Sequence, residues 1–109
     1  MSLDITIKRA QRLVCPKCGE LVGHKTIDEV NSGGRAWYEL LEKFGYYVPV
    51  ERRIEANDWY GKDMVLTKEQ AVEMSVFAAK AKAYDANSIS ALVIEAVAND
   101  DDVMINADW

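Results

Sequence analysis

The chain has 109 residues, the length of one ordinary domain, and we expect a single domain over residues 1–109. Half of the residues are hydrophobic and 28% are charged, which excludes the composition of a disordered protein. The net charge of −5 disfavours sequence-independent binding of nucleic acid by the chain as a whole, because that affinity comes mainly from neutralising phosphates.

The first part of the chain predicts β-structure. Leu3–Lys8 alternates apolar and polar residues and includes β-branched side chains, which is typical of a half-buried strand. Glu20–Ile27 is also rich in strand-forming residues, and Asn31–Gly34 is predicted to be a loop. We therefore expect a β-segment over residues 1–30 that carries a cysteine turn.

Residues 31–109 are predicted to be mainly helical and loop. The apolar spacing within Arg35–Phe44 predicts a short amphipathic helix, which Gly45 would end. Thr67 and Gln70 form a capping-box pattern that opens a second helix, and a third helix is predicted from about Ser88 to Ala98.

The remaining segments complete an α+β prediction. Tyr46–Val50 is predicted to be extended, and Val103–Ile105 is a candidate last strand. Three acids at residues 100–102 oppose the dipole of the preceding helix, so we expect that turn to face solvent. The predicted fold is an N-terminal β-hairpin or short antiparallel sheet, bearing a Cys-x-x-Cys knuckle and packed against about three helices.

The most specific chemical feature is the turn Cys15-Pro16-Lys17-Cys18-Gly19. Tetrahedral zinc takes four ligands, and a Cys-x-x-Cys turn supplies two thiolates that face one point. His24, the only histidine, is the candidate third ligand. The fourth ligand would be Asp28 or Glu29, or else the cysteine pair of a second chain would complete a four-thiolate site. A tight hairpin turn without metal is the competing interpretation, and zinc is the one cofactor that the sequence suggests.

A redox role for the cysteine pair is disfavoured. Redox-active pairs place the first cysteine at a helix N-terminus, whereas Cys18 is followed by a strand or turn sequence.

The cysteine turn resembles the knuckle of zinc-ribbon and rubredoxin-like modules, although the chain has no second Cys-x-x-Cys pair. Residues 31–41 and 57–64 look like segments of small uncharacterised proteins encoded by phages and prophages. That resemblance implies a host cytoplasm and an accessory or regulatory role, and it implies no particular activity.

Aromatic residues are the second candidate site. Trp37 and Phe44 fit a helical core face, but the other aromatic side chains cannot all be buried with them. We predict a partner-binding surface that comprises Tyr38, Tyr46, Trp59 and Tyr60. The loop from Asp58 to Asp63 also carries two carboxylates, which leaves an enzymatic site as an alternative.

Charge is distributed unevenly along the chain. Residues 1–25 contain five basic and two acidic side chains, a local charge of +3, while the remainder carries −8. The basic residues are Lys8, Arg9, Arg12, Lys17 and Lys25. They keep a nucleic-acid-binding module open as an alternative.

No stretch has the apolar length of a membrane span, and residues 1–6 lack the features of a signal peptide, so we expect a cytoplasmic protein without membrane contact. The expected function is a small non-enzymatic interaction or regulatory module, stabilised by zinc, that binds a protein partner or its own copy. Nucleic-acid binding and an enzyme built on the Asp58–Asp63 loop remain as alternatives.

Overall fold

A computed structural model of the chain describes residues 3–47, 61–83 and 85–108. The elements in chain order are β1 (Asp4–Val14), β2 (Leu21–Gly33), α1 (Trp37–Lys43), β3 (Met64–Leu66), α2 (Lys68–Lys80), α3 (Ala86–Ala98) and β4 (Asp102–Asp108). The predicted α+β class is confirmed, with an N-terminal hairpin and three helices among the described residues.

The four strands form one antiparallel sheet in the order β2-β1-β4-β3. β1 pairs with β2 along its whole length, from Asp4 opposite Gly33 to Val14 opposite Leu21. The pairing of β1 with β4 is shorter and ends where Ala10 meets Asp102. The last part of the β1–β2 hairpin therefore extends past the rest of the sheet.

The helices pack against one face of the sheet and enclose the hydrophobic core. Ile5 and Ile7 of β1 and Ile105 of β4 are buried in it, since alternate strand residues point to the same face. The helices contribute most of the other fully buried large side chains, namely Trp37, Leu41, Met74, Ile89 and Leu92. Within the described residues, no helix combines the length and the apolar character of a membrane span.

The capping box of the second helix is confirmed. The Thr67 hydroxyl accepts from the Gln70 N–H at 3.1 Å, and the Gln70 side chain accepts from the Thr67 N–H at 2.9 Å. The first helix ends as predicted, because Gly45 has a φ of +78° after Phe44.

The predicted loop at Asn31–Gly34 is wrong for its first three residues, which continue strand β2 opposite the start of β1. Gly33 permits this pairing, because a Cβ at that position would lie 2.4 Å from the main-chain oxygen of Leu3. The next residue, Gly34, donates its N–H to the same oxygen at 3.2 Å. Gly33 therefore fits the close approach of the two strands.

The acidic turn before β4 differs from expectation at Asp101, whereas the Asp100 side chain is 67% exposed as expected. The Asp101 side chain is only 9% exposed, and its carboxylate accepts from Arg9 Nε at 2.8 Å. Asp100 and Asp102 both accept from Arg12. Basic residues of β1 therefore offset the repulsion that was expected to keep the turn in solvent.

Candidate functional site

The tip of the β1–β2 hairpin is the part of the fold that holds the cysteine turn. Beyond Ala10, β1 has no strand partner other than β2 among the described residues. Nearly all side chains in residues 11–22 are exposed, and Cys15 is the partly buried exception. We call residues 11–25 the ribbon and residues 13–22 its tip.

The backbone of the tip closes a tight turn around Cys15. The Cys15 N–H donates to the Glu20 oxygen at 2.8 Å, and the Gly19 N–H donates to the Cys15 oxygen at the same distance. Gly19 has a φ of +73°, a conformation that glycine adopts without steric cost. Both cysteines are free thiols.

The same turn stabilises the thiolate of Cys15. Hydrogen bonds from the backbone N–H groups of Cys18 and Lys17, and then from the Cys18 thiol, lower the pKa of Cys15 below its ordinary value. Donors aimed at sulfur favour the charged form, which is the form that attacks electrophiles and ligates metals. The tip thus holds a pre-arranged pair of sulfur ligands.

Alkylation of Cys15 by iodoacetamide tests this arrangement. Because its pKa is lowered in the folded chain, the thiolate persists at lower pH, so we expect the pH midpoint of the Cys15 alkylation rate to lie lower in the folded than in the urea-unfolded chain. Rates are measured by peptide mass spectrometry on reduced, metal-free protein. A folded midpoint equal to or above the unfolded one would contradict the geometry.

His24 lies away from the cysteines in the structure, and its role as the third metal ligand stays a prediction. His24 lies opposite Arg12 in the hairpin. Arg12 is three residues before Cys15, which corresponds to about 10 Å along the strand at the usual rise per residue. Its Nε2 is 2.8 Å from a carboxylate oxygen of Asp102, in the direction of the sheet. His24 therefore belongs to the base of the ribbon.

The carboxylates proposed as fourth ligands are still farther from the turn. In the register of the hairpin, Asp28 lies opposite Arg9 and Glu29 lies opposite Lys8, and both positions are farther from the turn than His24. Within the described ranges, no group of three or more His, Cys, Asp or Glu side chains is arranged to hold a metal ion. One ribbon alone brings together two ligands, Cys15 and Cys18.

The base of the ribbon is fixed by ionic contacts to the turn before β4. Arg12 donates to Asp102 at 2.6 Å, and to the main-chain oxygen and carboxylate of Asp100 at 2.6 and 3.0 Å. The other carboxylate oxygen of Asp102 contacts His24. An isolated two-stranded hairpin is only marginally stable, so these contacts define the direction in which the ribbon projects.

Apolar side chains surround the cysteines, and sequence reasoning missed them. Leu13 is 42% exposed, Val14 56%, Leu21 54% and Val22 69%. An apolar doublet in a strand is the sequence signal for such exposure. Its two side chains point to opposite faces, and both faces of a two-stranded ribbon meet solvent. The doublets Leu13-Val14 and Leu21-Val22 flank the turn almost symmetrically.

The basic N-terminal residues are largely engaged within the chain. Lys8 pairs with Asp63 at 3.1 Å, Arg9 with Asp101, and Arg12 with Asp100 and Asp102. Three of the five cations of the nucleic-acid alternative are thus neutralised by neighbouring carboxylates. Lys17 and Lys25, which lie on the ribbon, are exposed.

The predicted aromatic surface is not assembled by the described residues. Tyr46 is wholly buried, which corrects its prediction as an exposed contact: its hydroxyl donates to the Lys62 oxygen at 2.6 Å and accepts from the Ala107 N–H at 2.8 Å. Tyr38 is half-buried with its ring edge against Tyr47, at a centroid distance of 4.9 Å. Trp59 and Tyr60 lie outside the described residues.

The loop of the enzymatic alternative is only partly described. Asp58 lies outside the described residues, and Asp63 accepts from Lys8 and from Asn106 at 3.0 Å. Partial burial would raise the pKa of Asp63, but the hydrogen bonds from Asn106 and Lys8 outweigh it and lower that pKa. Asp63 is thus held in its charged form by structural partners.

A cavity of about 380 Å³ lies between α1 and α2. Its walls combine Leu40, Val76 and Phe77 with charged side chains at the rim, of which Lys43 and Glu73 form an ion pair. No cysteine or histidine lines it. The pre-arranged sulfur pair of the tip therefore lies away from this cavity.

Comparisons of the chain with protein-family models, with curated proteins and with solved structures found no match.

Proposed function

We propose that the chain is a small, non-enzymatic interaction module that binds a protein surface through the tip of its β1–β2 ribbon. The observation that carries this proposal is the exposure of four large aliphatic side chains, Leu13, Val14, Leu21 and Val22, around a projecting turn. Complete burial of such a side chain contributes about 1.5–3 kcal/mol, and because each is already about half buried, an interface gains roughly half of that from each.

The ribbon suits this role because its base is held while its tip is free to contact a partner. Arg12 and His24 both contact Asp102, so the base of the ribbon is held in place relative to the sheet. Little conformational entropy is then lost on docking, which is the benefit of a preorganised contact element.

The double substitution Leu21→Thr, Val22→Thr tests the proposal. Threonine keeps strand propensity while it removes apolar surface, so the variant should fold as the wild type does. We expect partner affinity to fall by roughly 30-fold or more, which corresponds to about 2 kcal/mol. The measurement is affinity capture from extracts of the native cell, followed by calorimetry with the purified captured protein.

Val65→Thr is the matched control, because Val65 is a strand valine that is 47% exposed but lies on β3, away from the ribbon. It should retain every partner of the wild type. Partners that the double variant retains with unchanged affinity, or a wild type that captures none, would refute the proposal.

A further inference from the structure

The geometry points to a zinc site that is shared by two copies of this chain, with Cys15 and Cys18 of each copy supplying two of four thiolate ligands. This inference rests on the proposed function, since it names a second copy as the partner of the same tip. It is carried by three independent features of the tip: its ligand set, its apolar surroundings and its charge.

The ligand set is half of a tetrahedral site. Structural zinc sites hold four protein ligands with Zn–S distances of about 2.3 Å. The turn is closed by the hydrogen bonds from the Cys15 N–H to the Glu20 oxygen and from the Gly19 N–H to the Cys15 oxygen, and the Cys18 thiol lies at the Cys15 sulfur, so the two sulfurs are together before any metal arrives. His24 contacts Asp102, and no third ligand joins the pair among the described residues.

A two-fold axis through the metal completes the set without any other residue. In an isologous contact each copy presents the same surface, so two ligands from one tip are met by the same two from the other. The projecting position of the tip makes this approach accessible, because β1 beyond Ala10 pairs only with β2 within the described residues.

The aliphatic side chains fit the same contact. Val14 and Leu21 stand opposite each other at the mouth of the turn, and both are more than half exposed. In a tip-to-tip pair they would cover the sulfurs and exclude water. A dry surrounding strengthens the attraction between zinc and thiolate.

Charge also favours the tip as the contact. A zinc ion with four thiolates has a net charge of −2, and each tip brings Lys17 from within the turn itself. Residues 1–25 carry +3 while the rest of the chain carries −8. A contact at the end of the ribbon therefore keeps the acidic bodies of the two copies apart.

The test is titration of reduced, metal-free full-length protein with zinc chloride, followed by native mass spectrometry and sedimentation velocity. We expect one zinc per two chains, with the mass doubling as zinc is added and returning to that of the monomer with a chelator. Cobalt(II) in place of zinc should give the visible absorption of a tetrahedral four-thiolate site.

Cys15→Ser and Cys18→Ser should each abolish zinc binding and dimer formation, with circular dichroism unchanged because the tip lies outside the core. His24→Gln is the control and should keep the stoichiometry of one zinc per two chains. One zinc per monomer, zinc binding without dimer formation, or no zinc binding would each overturn the inference.

Failure of this inference is distinguishable from failure of the proposed function. If zinc does not pair the chains but the Leu21→Thr, Val22→Thr variant still loses a captured protein, the tip is a contact surface for another protein and only the shared zinc site is refuted. If the substitution changes no captured interaction, the proposed function fails, and the zinc titration alone decides whether the shared site exists.

Discussion

Substitution of Arg9 with methionine is expected to lower the free energy of unfolding by about 3 kcal/mol, more than any change to a surface ion pair. Arg9 Nε donates to Asp101 at 2.8 Å, and the Asp101 side chain is only 9% exposed. Methionine fills the space of the aliphatic stem but leaves a carboxylate mostly removed from water without its cation. Urea denaturation monitored by circular dichroism gives the change.

The matched control is Lys43→Met, which removes a cation from the exposed pair between Lys43 and Glu73. Exposed pairs contribute about 1 kcal/mol or less, so this variant should differ little from the wild type. Adding Asp101→Asn to Arg9→Met should recover part of the loss, because the unpaired charge is removed. Equal effects for Arg9→Met and Lys43→Met would show that Asp101 does not depend on Arg9.

Tyr46→Phe is expected to cost about 2 kcal/mol, although it deletes one oxygen atom. The hydroxyl accepts from the Ala107 N–H at 2.8 Å and donates to the Lys62 oxygen at 2.6 Å, and Tyr46 is wholly buried. Phenylalanine leaves the buried N–H of β4 without its partner, and an unsatisfied buried donor loses its solvation in full. The loss of unfolding free energy is measured from the shift of the urea midpoint, provided that the dependence of the free energy on urea concentration is unchanged.

Tyr38→Phe serves as the control, since Tyr38 is half-buried and its ring contact with Tyr47 does not involve the hydroxyl. We expect a change within about 0.5 kcal/mol. A Tyr46→Phe variant as stable as Tyr38→Phe would mean that the Ala107 N–H finds another acceptor. The hydrogen bond from Ala107 to the Tyr46 hydroxyl would then not be needed for stability.

Local sequence signals predicted the helices well. Thr67 and Gln70 form their capping box from residues three apart. The apolar spacing of the third helix predicts one buried stripe, and Ile89, Leu92 and Val93 are buried, whereas Val97 on the same predicted stripe is 42% exposed. Such signals depend on neighbours within one or two turns, so the sequence displays them directly. The start of α3 at Ala86, two residues before the prediction, is within the usual uncertainty of helix ends.

Features that depend on distant residues were not predictable in the same way. Arg9 and Asp101 are 92 positions apart, so nothing near either residue announces their pairing. The dipole of the preceding helix predicts a solvent-facing turn, but the cations that contact Asp101 and Asp102 come from β1. Likewise, Tyr46 sits in an aromatic run, and its burial follows from the approach of β4 at Ala107.

The candidate site was half predictable. Cys15 and Cys18 follow from a motif of five residues, and the structure places them together at the end of a ribbon. Whether His24 lies near the cysteines depends on the register of the hairpin and on the contact with Asp102. The spacing between Cys18 and His24 in the sequence gives neither. The exposure of the aliphatic tip depended on β4 ending its pairing at Ala10, which is a property of the whole sheet.

Hydrogen exchange at the ribbon tests whether its tip is the contact surface of the chain. Peptide amides of the full chain are compared at low and high protein concentration, with zinc chloride and a reductant, by mass spectrometry. We expect added protection in residues 11–25 at high concentration, with α1 and α2 unchanged. Protection over Trp37–Lys43 and Lys68–Lys80 with an unaltered ribbon would place the contact at the cavity between those helices and would contradict it.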